Sequence, residues 1–245
     1  MPTMMHNEVP LIRKMIFNEV KEWLELYGSI RLREKTRKSA GAPSGSILLS
    51  VPQAILKIPN THDEYLSNLK RQSRYLIRKA ENLGYEYREF SWNEHLDDIY
   101  EINTSKETRQ GEPMRGWYRE PVQPRYWSMQ ESQYLKNYGA FKDNKLRAYI
   151  FLLTCEYFAF PKHIIGHAEY LNDGIMNGLV SYVVKECIRK PEIQWIEYGR
   201  FIEGSSLDAF KKHIGFNKYA IIIELSDQKE LLNFAKSNIK SIWLL

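Results

Sequence analysis

Two cysteines in 245 residues, Cys155 and Cys187, are too few for a disulfide framework and do not make a structural zinc site. The expectation is reduced, buried thiols. His163 and His167 are the nearest thing to a metal pair, but on a stretch read as a strand they stand about 13 Å apart, too far for one ion. No other His, Cys, Asp or Glu cluster has ligand spacing, so no metal is expected. The sequence also lacks a Gly-x-Ser-x-Gly elbow, a Walker-type phosphate loop, internal repeats and low-complexity tracts. Long apolar runs are missing as well. Those around 149–154 and 220–223 are strand-length, against the ~20 residues of a membrane-spanning helix. Asn7, Glu8, Arg13 and Lys14 break up the first residues, so no signal-type apolar run opens the chain. A cytoplasmic location is the expectation.

What is present is a globular composition, 43% hydrophobic and 27% charged, rich in Tyr and Trp. The net charge of +5 favours an acidic partner: a nucleic acid, a nucleotide-bearing cofactor or a phosphorylated substrate.

Apolar spacing predicts a helix over 11–26, then a basic and Gly/Pro/Ser-rich loop over 31–46 and a strand over 46–52. A long basic helix follows over 61–83, capped by Thr61 or Asp63 and closed by Gly84. Beyond it the pattern predicts a strand over 85–90, helices over 93–105 and 125–136, and a hairpin of 138–142 and 145–154 turning at Asp143-Asn144. A strand within 163–170, a helix over 175–189, a strand over 193–198, a helix from Ser205 or Ser206 to His213, a strand over 216–225 and a final helix complete the chain. This order implies an α/β fold, a mixed sheet with helices on both faces. Residues 1–83 are read as an N-terminal extension packed on a catalytic unit of 84–245.

Three segments carry a family resemblance. Tyr198-Gly199-Arg200 followed by Leu207-Asp-Ala-Phe210-Lys211-Lys-His-Ile214-Gly215-Phe216 resembles the signature of the Fem-like branch of the GNAT acyltransferases. The helix start Gly174-Ile-Met-Asn177-Gly178-Leu179 and the basic run Arg78-Lys79-Ala80-Glu81-Asn82-Leu83-Gly84 resemble corresponding segments. The resemblance implies a GNAT fold and transfer of an activated acyl group, acetyl or aminoacyl, from acyl-CoA or aminoacyl-tRNA to an amine. The chain departs from the pattern in two ways. It has room for one GNAT-like unit where Fem ligases carry two. The usual Arg/Gln-x-x-Gly-x-Gly/Ala pyrophosphate loop is replaced by 170–178, where Asp173 would repel a pyrophosphate.

The resemblance places Lys211 where a lysine stabilises the tetrahedral intermediate; the other reading is a solvated lysine beside Lys212. Phe210 is read as a wall for the donor or as plain core. Tyr198 and Arg200 end a parallel strand, where open α/β sheets gather ligands, and Gly174, Asn177 and Gly178 are the donor-binding candidates at a helix start. His167 and Glu169, two residues apart on a predicted strand, are candidate bases or structural polar groups. Lys106, Arg109 and Gln110 lie in a polar loop read as an acceptor-binding site for phosphate or carboxylate. Lys70, Arg71, Arg74, Arg78 and Lys79 form a basic helix face, either solvated or tracking a nucleic-acid backbone. A non-catalytic nucleic-acid-binding protein on a degenerate GNAT scaffold is the rival from another class.

Overall fold

A computed structural model describes residues 47–109, 112–114, 116–126, 134–155, 157–201 and 204–225. The helix predicted over 11–26, the loop over 31–46, the final helix and Gln110 lie outside the described residues. Two compact units divide the chain, residues 1–52 with 219–245, and residues 53–218. The helical residues 62–82, assigned above to an extension, fall in the second unit.

Nine strands and six α-helices are described: β1 (Ile47–Lys57), α1 (His62–Asn68), α2 (Arg71–Asn82), β2 (Glu86–Glu89), α3 (Leu96–Thr104), β3 (Thr108–Arg109), β4 (Glu112–Pro113), α4 (Gly116–Arg119), β5 (Leu135–Lys142), β6 (Lys145–Cys155), β7 (Phe158–Gly166), α5 (Ile175–Ile188), β8 (Trp195–Arg200), α6 (Ser206–His213) and β9 (Asn217–Leu225). Short 3-10 turns, Trp92–Glu94 and Ala168–Asp173, precede α3 and α5. Seven strands form one sheet in the order β2-β5-β6-β7-β8-β1-β9, and β3 pairs with β4 apart from it. The sheet is mixed, because β7 and β8 run parallel while the other pairs recorded in it are antiparallel.

Local chemistry accounts for most element ends. Asp143 and Asn144 both take positive φ, as the tight turn between β5 and β6 requires. Thr61 caps α1 by accepting from the Glu64 amide, and Ser205 caps α6 by accepting from the Asp208 amide. Gly84, at φ +82°, stops α2.

Three predictions need correction. The single helix over 61–83 is two, broken at Leu69-Lys70. Arg74 Nη1 donates to the carbonyls of Leu66, Ser67 and Leu69 and so satisfies the end of α1. The helix over 125–136 fails at its end, where Leu135 and Lys136 already pair in β5; residues 127–133 are outside the description. The strand within 163–170 stops at Gly166, and His167 caps a 3-10 turn instead.

The main core lies on one face of the sheet. Ala54, Leu56, Ile150, Leu152 and Ile196 meet Ile77 of α2 and Leu179 and Val183 of α5 there. Close approach requires glycine at two places: a Cβ on Gly174 would run into the Leu76 carbonyl of α2, and one on Gly178 into the Tyr87 hydroxyl of β2. The other face buries Phe90, Trp92, Phe141, Tyr149 and Ile165 against Ile99 and Ile102 of α3. Helices thus cover both faces. Cys187 sits buried as a free thiol, pushed up to about 12 by burial, and is inert at neutral pH. Among the described residues no helix is long and apolar enough to cross a membrane.

Candidate active site

Strands β7 and β8 pair only at their first residues, Phe158 with Trp195 and Ala159 with Ile196, and then run on to Gly166 and Arg200 without pairing. Two bulges flank this splay. On β7, Phe151 faces His163 while Leu152 faces Pro161, so Lys162 is an extra residue. On β8, Gln53 faces Arg200 while Ile55 faces Glu197, and Gly199 at φ +65° absorbs the added residue. Bulges sharpen local twist and re-aim side chains. Here they open a wedge between two parallel strands at their C-terminal ends, where α/β sheets present ligand sites.

Ionisable groups that core packing does not call for converge on this wedge. Lys211 is only 2% exposed; its Nζ donates to the Arg200 carbonyl at 2.6 Å and lies 5.0 Å above the Tyr198 ring. Burial pulls its ammonium down to about 8 against the support of Asp208 and Glu197. Glu197 is 7% exposed, and burial raises its carboxyl to about 7 although Lys162 and Lys211 oppose the shift. Burial likewise lowers Lys162 to about 8, with Glu197 opposing. Burial thus pulls one acid and two amines toward neutrality in one place, a pattern that functional sites favour.

The solvated alternative for Lys211 is excluded by its burial. Helix α6 is held rigidly for it: Tyr65 donates its hydroxyl to the Ile214 carbonyl at 3.0 Å and Ser73 to the His213 carbonyl at 2.6 Å, both satisfying the helix C-terminus. Phe210 meets Tyr198 edge-on at 6.4 Å and packs against the main core. Burial raises the Tyr198 phenol, which therefore stays protonated, a donor and not a base. Arg200 offers its carbonyl to Lys211 at the end of β8.

Other candidates land elsewhere. His167 and Glu169 do not share a strand face. His167 Nδ1 accepts from the Glu169 amide at 3.3 Å and its Nε2 lies 3.7 Å from Glu101, while the Glu169 side chain is exposed. Burial lowers the imidazole further, so its visible role is to cap the 3-10 turn. Gly174, Asn177 and Gly178 face protein: Asn177 is 6% exposed, and the preceding loop is tied down by Lys79 donating to the Asn172 carbonyl and Tyr85 to Asp173. Lys106 is exposed. Arg109 is turned inward, its Nη2 donating to the Ile102 carbonyl at 3.2 Å, Ser105 Oγ at 3.4 Å and the Gly166 carbonyl at 3.0 Å. It staples the end of α3 to the end of β7 instead of offering an open clamp. Replacing Arg109 with Ala should therefore cost about 2 kcal/mol from two unpaired carbonyls, or roughly 4–8 °C in a thermal melt. An unchanged melting temperature would return Arg109 to substrate binding.

On the basic helix, Arg74 and Lys79 are spent internally, as described. Lys70, Arg71 and Arg78 are exposed, and Tyr75, 54% exposed, lies between the two arginines at i+4 and i+7 spacing.

Glu197, Lys162 and Gln53 were missed in the sequence. Their signal was a lone carboxylate, a lone ammonium and a lone amide within apolar strand runs. Gln53 is fully buried, and neither atom of its amide has a hydrogen-bond partner among the described residues. No cluster among the described residues has metal-ligand geometry.

No protein-family model matches the chain, and no curated protein does. Solved structures do. FemX superposes with a TM-score of 0.57 at 13% identity, covering 75% of this chain and 64% of that one. L-PGS from Bacillus licheniformis gives 0.50 at 12% identity, covering 79% and 66%. The chain has the GNAT fold. It spans slightly less than two thirds of the length of these two proteins.

Proposed function

We propose that this chain is an acyltransferase that moves an activated acyl group to an amine in the wedge between β7 and β8. The observation that carries the reading is the buried Glu197 at the splay, within electrostatic reach of Lys211 and Lys162. Glu197, poised near 7, takes the proton from the attacking amine. The amine nitrogen then bonds to the acyl carbon, and the charge that develops on the carbonyl oxygen is stabilised by the Lys211 ammonium in a water-poor setting. Collapse breaks the bond to the ester oxygen or thioester sulfur, and the Glu197 carboxyl returns the proton to that leaving atom. The buried amide of Gln53, opposite Arg200 and without a partner among the described residues, would hold a polar group of the acyl moiety.

For the donor, two observations favour aminoacyl-tRNA over acyl-CoA. The loop before α5, where a pyrophosphate would sit, is packed against α2 and carries Asp173. The stripe Arg71–Tyr75–Arg78 presents two cations around an exposed ring, the chemistry that holds phosphates and stacks a base. Replacing Arg71 and Arg78 with Gln should make the log–log dependence of tRNA affinity on salt shallower by about 1.5, since each lost phosphate contact removes a share of counterion release. A slope equal to that of the unaltered protein removes tRNA from this helix. Tight CoA binding with no tRNA retained at low salt reverses the choice of donor. The same stripe would serve a purely nucleic-acid-binding protein, but such a protein has no use for a buried, near-neutral carboxylate between two lysines.

A further inference from the structure

We infer that Arg125 is the anchor of an anion subsite on the α3 face of the sheet, taking a carboxylate or phosphate group of the amine-bearing acceptor. The 3-10 turn Trp92–Glu94 is organised around it. Asn93 accepts from the Arg125 amide at 2.7 Å and donates to its carbonyl at 2.9 Å, a two-way lock on the backbone. The Trp92 indole Nε1 donates to the Gln123 carbonyl at 3.2 Å, and its ring lies 3.6 Å from the Arg125 guanidinium carbon. Phe151 flanks the same guanidinium at 5.1 Å. These contacts use the faces of the guanidinium and leave its edge unspent. No hydrogen bond or ion pair from that group occurs among the described residues, although it is only partly exposed. A guanidinium held by its faces offers its fork to one planar or tetrahedral anion.

The surroundings share that sign. His163, packed on Phe151 at 5.9 Å and hydrogen-bonded to Tyr118 at 3.0 Å, is pushed down to about 4 by burial and by the charges of Arg125 and Lys162. It stays neutral, and Lys162 next to it in the chain supplies the second cation. Arg125, His163 and Lys162 therefore lead, by contact and charge, from the α3 face to Glu197 at the wedge. The subsite differs from the Lys106–Arg109–Gln110 loop expected from the sequence. Its assignment to the acceptor rests on the acyltransfer reading, whereas its affinity for an anion does not.

The test is a titration of the whole chain with inorganic phosphate and, separately, acetate at constant ionic strength. The readout is the Trp92 indole N–H resonance, assigned with Trp92→Phe. Both probes are expected to act saturably, the stronger one naming the acceptor's group. Arg125→Gln should weaken binding roughly tenfold or more, the size of a charge-assisted bond, and Arg125→Lys should fall between. Arg189→Gln, a change at an exposed pair with Glu186, should bind as the unaltered protein does. A Trp92 signal unmoved by either anion, or moved equally in Arg125→Gln, overturns the subsite. If Arg125→Gln melts early, Arg125→Lys decides alone, and equal affinity there overturns it too. No turnover is read, so a failed acyltransfer reading leaves this result standing.

Discussion

Replacing Glu197 with Gln is expected to lower acyl transfer by about 10²- to 10⁴-fold, the usual contribution of a positioned general base. The substitution keeps shape and burial and removes only the titrating proton. The pH profile gives the sharper signature. A base works deprotonated, so turnover in the unaltered protein should climb as pH rises through about 7, where Glu197 ionises. It should decline again above about 8, where Lys211 and Lys162 lose their protons. With Gln at 197 the acid limb should vanish while the residual rate stays nearly flat below 7. A folded variant that keeps the acid limb would assign the base elsewhere.

Lys211→Met is the second large effect. The methionine retains an apolar stem and loses the ammonium that lies over the Tyr198 ring and reaches the Arg200 carbonyl. Turnover should fall by roughly 10²- to 10³-fold, as when one oxyanion donor is lost, with donor affinity nearly unchanged. Stability need not fall. A buried ammonium is costly to desolvate, and replacing it with an apolar chain of similar volume is often neutral or stabilising. A folded protein with full turnover would leave Lys211 a structural residue. A drop in donor affinity alone would make it a binding group.

The architecture was legible where the controlling chemistry is local. Asp143-Asn144 dictate a hairpin by tolerating positive φ, and Thr61, Ser205 and Gly84 mark helix ends through groups within a few residues. Reading failed where a distant partner decides. Nothing in the apolar period around Leu69 shows that Arg74 folds back on the α1 carbonyls and separates two helices. The strand placed within 163–170 ends at Gly166, where His167 turns the chain into a 3-10 turn.

The motif drew attention to Lys211, whereas its burial and the nearby buried Glu197 could not be read from it. Their meeting depends on the register slips at Lys162 and Gly199, which exist only once strands pair. Arg125 was hidden by a helical reading of 125–136, since the Asn93 lock spans 32 positions of sequence. Arg109 was legible as a donor-rich residue, but which groups it serves is set by where the end of β7 comes to lie.

Transfer of radiolabelled acyl groups, from a total charged tRNA pool and from acetyl-CoA, to a panel of carboxylate- and phosphate-bearing amines tests the central claim most directly. It is run across pH 5–9 with the unaltered protein and with Glu197→Gln. Labelled amide should form with the unaltered protein at a rate that rises through pH ~7, and should be nearly absent with Glu197→Gln. Equal rates in the two proteins, or a rate in the unaltered protein indifferent to pH across that range, would contradict catalysis by the buried cluster at the splay.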